Sequence, residues 1–357
     1  MQGNISKISI DSNASLLEAI KQMDVLDGKL LMVTDNENDY VSIISIGDIQ
    51  RYLITHQNIE AKVTDALRQN VRVASIDDSP EQIKNIMLEF RTEFMPVLDE
   101  KGDLDRVIFW KDIFEEKQTF NKEKINVPVV IMAGGKGTRL KPITNIIPKP
   151  LVPVGERPIV QIIMDQFSEM GTENFYMSVN YKADMIQQYF DKIEKPYAVN
   201  YFEEDKPLGT AGSLSLIKNQ ITETFFVSNC DILIDQDYEE VYKWHKKNKN
   251  EITSIAAIKN YHIPYGTLEI GRDGLLENMK EKPDLTFFVN AGVYIVEPHL
   301  LHDIPNNEFY HITYLMEKVK QRGGRVGVFP VSEGSWMDIG NWVEYNKTQE
   351  MFKKRFS

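Results

Sequence analysis

The chain is poor in cysteine and has no long hydrophobic run. Cys230 is the single cysteine among 357 residues, which excludes an intrachain disulfide and a cysteine-rich zinc site and suits a reducing compartment. No apolar run approaches the roughly 20 residues of a membrane span, and the N-terminus lacks the basic-then-apolar pattern of a signal peptide. We therefore expect a cytoplasmic protein without a membrane partner.

Positive charge is also scarce. The 41 lysines and arginines are outnumbered by 53 aspartates and glutamates, which gives a formal net charge of −12. Such a balance argues against nucleic acid or an anionic membrane surface as the main partner. The length exceeds what one hydrophobic core usually holds, so we expect at least two domains.

An internal repeat occupies the first third of the chain. Residues 10–53 and 76–114 each start with a helical apolar pattern, continue with two strands and end at an aspartate that opens a short helix. These aspartates, Asp48 and Asp112, stand 64 positions apart. A small β-α-β-β-α module could bury its sheet only against its twin. The pattern predicts one α+β domain over residues 1–120, with repeats at about 1–58 and 62–118.

A charged, weakly periodic stretch separates this repeat from the rest of the chain. We place a linker at residues 121–126 and a second domain at 127–357. From residue 127 onward, buried strands alternate with amphipathic helices, which is typical of a Rossmann-like α/β fold with a mostly parallel mixed sheet. The strands are expected at residues 129–132, 173–179, 198–202, 224–227, 253–258 and 288–296.

A glycine-rich loop follows the first strand of the second domain. Its glycines let backbone amides approach phosphate oxygens, while Arg139 and Lys149 supply cations from either end. A P-loop would need Ser or Thr where Gly137 stands, and the dinucleotide fingerprint would need glycine where Leu140 stands. The loop predicts a polyphosphate cradle; the alternative is a tight turn whose glycines serve only geometry. Its expected nucleotide-binding residues are Ala133, Gly134, Gly135, Gly137 and Thr138.

The loop is also part of a longer signature. Ala-Gly-Gly-Lys-Gly-Thr-Arg-Leu, Pro-Ile-Thr and Pro-Lys-Pro together resemble the sugar-1-phosphate nucleotidyltransferases, over about residues 128–346. Four more segments resemble that family in the expected order. They are a base-recognition loop (207–213), a metal-aspartate strand (227–231), a sugar pocket (281–283 with 290–292) and a closing segment (336–340).

This resemblance implies a GT-A-like fold and a reaction in which a sugar-1-phosphate oxygen attacks the α-phosphate of a nucleoside triphosphate. Because the nucleophile is already charged, positioning and charge neutralisation carry most of the catalysis. Mg²⁺ is the implied cofactor, with Asp231 and Asp338 as its ligands. The implied catalytic residues are Arg139, Lys149 and Asp231. The further nucleotide-binding residues are Asn180, Gly209, Thr210 and Gly212, and the sugar-phosphate residues are Gly266, Glu281, Lys282 and Asn290.

The resemblance also implies the class of each substrate, though less specifically than the reaction. The base loop is most similar to that of hexose-1-phosphate guanylyltransferases, which favours GTP over UTP, CTP or dTTP. The sugar is expected to be a hexosamine or hexose, such as glucosamine-1-phosphate or mannose-1-phosphate, in bacterial surface-glycan synthesis, and a heptose remains open. An inactive nucleotide-sensing subunit is the alternative function. A kinase is disfavoured because the chain has no Gly-Lys-Ser/Thr motif.

The N-terminal repeat resembles paired CBS domains (cystathionine β-synthase modules), which commonly bind adenosine nucleotides. The family's ribose-binding aspartate matches Asp48 and Asp112, and Ser45 stands three residues before Asp48. Phe109 departs from this pattern in the second repeat. The resemblance predicts a regulatory adenosine or guanosine nucleotide at Ser45, Asp48 and Asp112, and a homo-oligomer; a dimerisation or docking module is the alternative.

Overall fold

The chain divides into two compact units, residues 1–122 and 123–357. The computed structural model describes residues 2–26, 28–69, 71–90, 94–109, 124–332 and 334–356. Asp112 and the first half of the expected linker therefore lie outside the described residues.

The first unit contains the two expected repeats in succession. In each, a first strand pairs in parallel with a second, which pairs antiparallel with a third. The first repeat contains α1 (Gln2–Ile8), β1 (Ser9–Asp11), α2 (Leu16–Leu26), β2 (Leu30–Thr34), β3 (Tyr40–Ser45) and α3 (Ile46–His56). The second contains β4 (Ala74–Ser75), α4 (Pro80–Phe90), β5 (Phe94–Leu98) and β6 (Leu104–Phe109).

The two repeats match in detail at the 64-residue spacing of the sequence. The antiparallel pair of each sheet has a register shift, between Val33 and Thr34 in one and between Val97 and Leu98 in the other. The helix at Asp48 has eleven residues, so the expectation of a short helix was wrong. Its first turn is stabilised by a complete N-terminal cap, described below.

The sheets of the two repeats share an apolar core. Leu30, Met32 and Ile43 of the first sheet are buried in one cluster with Phe94 of the second, and Phe109 packs against that cluster. Each two-layer module leaves one sheet face without a helix, so this face is removed from water by the twin module.

The second unit is built on a seven-stranded mixed sheet. Its order is β11-β10-β7-β12-β17-β14-β18, with β17 antiparallel to both neighbours and all other pairs parallel. Those strands are β7 (Val129–Met132), β10 (Asn174–Val179), β11 (Ala198–Glu203), β12 (Phe225–Asn229), β14 (Ile252–His262), β17 (Asp284–Val296) and β18 (Val326–Val331). The expected α/β fold with a mostly parallel sheet is confirmed.

Short two-stranded ribbons lie outside this sheet. They pair β8 (Pro153–Val154) with β9 (Arg157–Pro158), β13 (Ile232–Ile234) with β19 (Trp336–Asp338), and β15 (Thr267–Ile270) with β16 (Leu276–Lys280). The helices are α5 (Ile143–Ile146), α6 (Ile159–Met170), α7 (Ala183–Lys192), α8 (Gly209–Gly212), α9 (Tyr238–Lys247), α10 (Ile312–Gln321) and α11 (Trp342–Phe356).

Both faces of the large sheet are buried, as the interior strand β7 shows, because its alternate side chains enter different cores. Val129 and Ile131 of β7 lie in one apolar cluster, and Val130 lies in the other. A strand buried on both faces has an unbroken apolar run in its sequence, and this run is why β7 could be predicted. Within the described residues, no helix is long and apolar enough to cross a membrane.

Candidate active site

The glycine loop leaves the end of β7 in a shape that only glycine permits at one position. The Ala133 amide donates to the Ser178 carbonyl oxygen of β10 at 3.0 Å, which fixes the start of the loop. Gly137 has a φ of 62°, and a Cβ there would lie 2.9 Å from side-chain carbons of both Lys149 and Thr144. Thr144 also donates its hydroxyl to the Gly137 carbonyl oxygen at 2.9 Å. The loop is thus held open and close to Lys149.

A two-stranded ribbon brings together the two aspartates expected to bind metal. Asp231 immediately precedes β13, and Asp338 is the last residue of β19, opposite Ile232 in the antiparallel register. The Ile339 amide donates to the Asp231 carbonyl oxygen at 3.1 Å. The ribbon therefore places both carboxylates beside the end of β12, at the edge of the sheet where β7 delivers the glycine loop.

The expected cations lie around these carboxylates. Lys149 forms an ion pair with Asp231 in which both side chains are nearly buried. A Cβ on Gly340 would lie 2.9 Å from Asp338 Oδ1 and 3.3 Å from Arg139 Nη2, so Arg139 also reaches this cluster. The structure thus gathers Arg139, Lys149, Asp231 and Asp338 at one place.

Electrostatics in this cluster reflect two close negative charges. Burial raises the pKa of Asp338, and the charge of Asp231 raises it further, although the Gly340 amide, Lys149 and Arg139 act in the opposite direction. Burial lowers the pKa of Lys149, but the negative groups around it, Asp231 foremost, more than offset this, so its pKa is raised. Lys149 accordingly stays protonated.

The donor set of this cluster fits a hard divalent cation. Burial and the neighbouring charge of Asp231 together raise the pKa of Asp338, and a bound cation would oppose both effects. The described residues contain no cluster of three or more metal-ligating side chains. Magnesium, however, is commonly bound by one or two carboxylates, with phosphate oxygens and water completing its shell. Asp231 and Asp338 are therefore sufficient as protein ligands.

The expected base-recognition loop is held by the segment before α10. Gly209 has a φ of 78°, and the amides of Ala211 and Gly212 both donate to the Tyr310 carbonyl oxygen, at 2.9 and 3.0 Å. The Thr210 hydroxyl oxygen accepts from the Ile312 amide at 3.0 Å. The Thr210 hydroxyl and the amides of Ala211 and Gly212 are therefore engaged within the protein.

A buried carboxylate, not identified from the sequence, joins this loop to the glycine loop. Glu204 accepts hydrogen bonds from the Ser178 hydroxyl and, at 3.0 Å, from the Leu208 amide. A Cβ on Gly134 would lie 2.8 Å from Glu204 Oε1, and the Asn180 side-chain amide donates to the Glu204 carbonyl oxygen. Asn180 and Gly134 are thus neighbours, as the expected nucleotide site requires. Only an acidic run, residues 203–205, hints at this residue in the sequence.

The expected sugar-phosphate residues fall into two groups. Gly266 lies beside Glu281, since a Cβ there would be 2.9 Å from Glu281 Oε2, and the adjacent Lys282 is exposed. Asn290 lies near the start of the β12–β17 pairing and accepts from the Gly292 amide at 3.1 Å. Among the hydrogen bonds of the described residues, none joins Glu281 or Lys282 to the aspartate cluster.

In the first unit, Ser45 and Asp48 form the N-terminal cap of α3. The Asp48 side chain is 1% exposed and accepts from the Ser45 amide and hydroxyl, from Arg51 at 2.5 Å and from Arg68 at 2.7 Å. This carboxylate is satisfied by the protein's own groups. Asp112 lies outside the described residues, and Phe109 packs on Phe94 with ring centroids 6.2 Å apart.

Comparison with known proteins identifies relatives of both units. A model of the CBS domain family matches residues 4–55. Mannose-1-phosphate guanyltransferase of Yarrowia lipolytica is 32% identical over 222 residues, which cover 59% of this chain and 60% of the relative. The Saccharomyces cerevisiae protein of the same name is 31% identical over 223 residues, with the same coverage. The chain thus spans about 60% of the length of these curated relatives.

Solved structures give the same fold for the second unit. The crystal structure of HddC from Yersinia pseudotuberculosis has 27% identity and a TM-score of 0.50, and it covers 63% of this chain and 99% of that chain. The structure of HddC complexed with GMP-PN has 26% identity, the same TM-score and the same coverage. A model of the nucleotidyl transferase family matches residues 128–355, well over half of the sequence. The chain therefore belongs to the nucleotidyl transferase family and carries a CBS domain at its N-terminus.

Proposed function

We propose that the chain transfers the guanylyl group of GTP to a sugar-1-phosphate and releases pyrophosphate. The observation that carries this proposal is the convergence of Arg139, Lys149, Asp231 and Asp338 beside the glycine loop. The choice of GTP is supported by the curated relatives named mannose-1-phosphate guanyltransferase and by the HddC structure complexed with GMP-PN.

In the proposed reaction, an oxygen of the sugar phosphate attacks the α-phosphorus of GTP while the bond to the β-phosphate oxygen breaks. The electron pair of that bond leaves with pyrophosphate, so the chain needs no general base for a nucleophile that is already ionised. Arg139 and the protonated Lys149 neutralise charge on the transferred and leaving phosphates. Asp231 and Asp338 would hold Mg²⁺, which lowers the repulsion between the two phosphorylated substrates when bound.

The other expected residues take supporting roles in this proposal. The glycine-loop residues at 133–138, together with Asn180 and the loop Gly209–Gly212, bind the nucleotide. Gly266, Glu281, Lys282 and Asn290 bind the sugar phosphate, with Lys282 opposite its phosphate and Glu281 accepting from sugar hydroxyls. We place the reaction in the cytoplasm and its product in bacterial surface-glycan synthesis.

Pyrophosphate release tests the proposal directly. GTP, UTP, CTP and dTTP are each offered with mannose-1-phosphate, glucosamine-1-phosphate and a heptose phosphate, with magnesium and with a chelator. We expect turnover with GTP and a hexose or hexosamine phosphate, and loss of turnover on chelation. Turnover with UTP, CTP or dTTP in place of GTP would show that the base is assigned wrongly. Inactivity with every combination of triphosphate and sugar phosphate would favour a nucleotide-sensing subunit.

For the first unit we propose that a bound adenosine or guanosine nucleotide regulates transfer. The match to the CBS domain family and the twin arrangement of the repeats support this proposal. A nucleotide that contacts Asp48 would compete with Arg51 and Arg68 for its carboxylate. The test is transferase turnover at fixed GTP and sugar phosphate while ATP, AMP and GDP are titrated, with the Asp48→Asn variant as the baseline for competition at the active site. A response that is identical for the whole chain and for an Asp48→Asn variant would contradict it.

A further inference from the structure

The C-terminal helix α11 contacts three of the four chain segments that supply charged residues to the site. The Trp342 indole N–H donates to the Lys141 carbonyl oxygen at 2.8 Å, two residues after Arg139. The Thr348 hydroxyl donates to the carbonyl oxygen of Asp338 itself at 2.9 Å. These two bonds join the glycine loop and the β13–β19 ribbon to a single rigid element.

The same helix also holds the segment that follows Lys149. Tyr345 and Gln349 both donate to the Pro153 carbonyl oxygen, at 2.9 and 2.8 Å, and the Gly155 amide donates to Gln349 at 3.1 Å. Pro153 begins β8 directly after the turn that Lys149 opens. One helix therefore anchors the backbone near Arg139, Lys149 and Asp338.

The hydroxyl of Thr348 is buried and has a defined hydrogen-bond partner, the carbonyl oxygen of Asp338. The residue is 2% exposed, so valine would fill the same volume without a polar atom that needs a partner. Trp342, by contrast, is 38% exposed, and its ring contacts Tyr345 edge-on at 5.6 Å between centroids. Its ring contributes little to the core, and its defined polar contact is the bond to Lys141.

We propose that Trp342 and Thr348 are positioning residues for guanylyl transfer, acting through the glycine loop and through Asp338 respectively. Neither side chain touches the reacting groups. Trp342 fixes the backbone that carries Arg139, and Thr348 fixes the peptide that orients the Asp338 carboxylate. This inference rests on the proposed function, because it assigns the two residues to steps of that reaction.

Two conservative variants separate these roles. Thr348→Val removes the hydroxyl while keeping the shape, and should weaken magnesium activation about 10-fold, as loss of an outer hydrogen bond to a metal ligand typically does. Thr348→Ser should restore it. Trp342→Phe keeps an aromatic ring but removes the N–H, and should raise the KM for GTP about 5-fold with little change in magnesium activation.

Binding measurements accompany the kinetics. Mn²⁺ binding in the presence of GTP, followed by electron paramagnetic resonance, should weaken in Thr348→Val and not in Trp342→Phe. Calorimetric titration with GTP should show the weaker nucleotide binding of Trp342→Phe. Val343→Ala is the matched control, because Val343 lies on the same helix and is 76% exposed.

The outcomes distinguish this inference from the proposed function. A purely structural role would lower the melting temperature and the active fraction while leaving KM, magnesium activation and Mn²⁺ binding as in the wild type, and that result would overturn the inference. If the wild-type chain transfers no nucleotide at all, the proposed function itself fails. Because Trp342 is partly exposed, its variant tests the inference even if Thr348→Val does not fold.

Discussion

Two glycines of the phosphate-binding loop differ in what a side chain would meet. Gly137 has a left-handed backbone, and a Cβ added there would lie 2.9 Å from carbon atoms of Lys149 and Thr144, whereas a Cβ on Gly135 would have nothing within 4 Å. The left-handed conformation alone costs an L-residue roughly 1–2 kcal/mol. Backbone freedom is therefore required at position 137 and is optional for folding at position 135.

We expect Gly137→Ala to lower the free energy of unfolding of the second unit by about 2 kcal/mol, from strain together with the close contacts. Gly135→Ala should change it by less than about 0.5 kcal/mol. Urea denaturation followed by tryptophan fluorescence measures both. Equal losses in the two variants would show that the conformation of the loop is not constrained at Gly137.

The carboxylate of Asp231 carries a second prediction. Asp231→Asn removes one charge from the proposed metal ligands and leaves the nearly buried Lys149 without its ion-pair partner. We expect kcat/KM for GTP to fall by about 10²–10³-fold, as when a preorganised charge is removed from a transition state. The control is Asp184→Asn on the exposed surface of α7. A loss of less than about threefold in Asp231→Asn would exclude it from the reaction.

At the scale of single residues, the sequence predicts functional residues that stand in contiguous motifs, but it does not predict contacts between residues far apart in the chain. Arg139, Lys149, Asp231 and Asp338 each stand in a recognisable motif, and the structure brings all four together. The hydrogen bond of Trp342 spans 201 positions and ends on a backbone carbonyl, which leaves no pattern in either partner's sequence. The buried Glu204 left only the hint of an acidic run, because its role depends on two loops that meet only in the fold.

At the scale of elements, helix α9 is joined to the sheet through a buried histidine. His245 is fully buried, contacts Thr253 at 2.7 Å and Glu297 at 3.2 Å, and has Lys246 next to it. Burial lowers the pKa of His245 from its usual value of 6.5, and this outweighs the opposing effect of Glu297. The folded protein thus keeps this imidazole neutral at a pH where the unfolded chain protonates it.

The sign of the resulting pH dependence follows from proton binding. Below about pH 6.5 the unfolded state binds more protons than the folded state, so stability falls as the pH is lowered, by at most about 1.4 kcal/mol per pH unit from this group. In His245→Gln this contribution is absent, and the unfolding free energy should decline less between about pH 7 and about pH 5.5. Urea unfolding at both pH values measures it, with the exposed His302→Gln as control. Identical slopes in wild type and His245→Gln would contradict the assignment.

Strand prediction was accurate for the buried strand β7, whereas several strands with exposed portions were predicted too short or missed. β7 was placed without error because all its neighbours bury it, whereas β14 and β17 extend beyond their expected ends into exposed antiparallel pairing. The β15–β16 ribbon was missed. Its paired residues Leu268 and Met279 lie on one face of the ribbon, and each is more than 60% exposed. Within the described part of the chain, the ribbon therefore has apolar residues on one face but no core that covers them.

At the scale of the whole molecule, each unit has an apolar core of its own. The two large clusters of the second unit draw all their buried members from residues 127–339, and the shared core of the repeats draws its members from residues 30–94. A unit with its own core can fold without the other. The repeat periodicity and the change of pattern near residue 122 are properties of long segments, and both predict a division into two domains from the sequence.

The last prediction separates catalysis from its proposed control. A chain of residues 124–357 contains every residue proposed for transfer, so it should fold cooperatively and retain kcat/KM for GTP within about threefold of the whole chain, which corresponds to less than about 1 kcal/mol of transition-state stabilisation. Titration with adenosine nucleotides, which do not compete for the proposed GTP site, should alter turnover of the whole chain alone, because a ligand can regulate only through a site that the protein contains. A second variant of the whole chain, Arg68→Ala, removes one ion-pair partner of the Asp48 carboxylate and should strengthen the nucleotide response. If the shortened chain responds to nucleotides as the whole chain does, the regulatory site lies in the transferase unit and the N-terminal repeats serve another purpose.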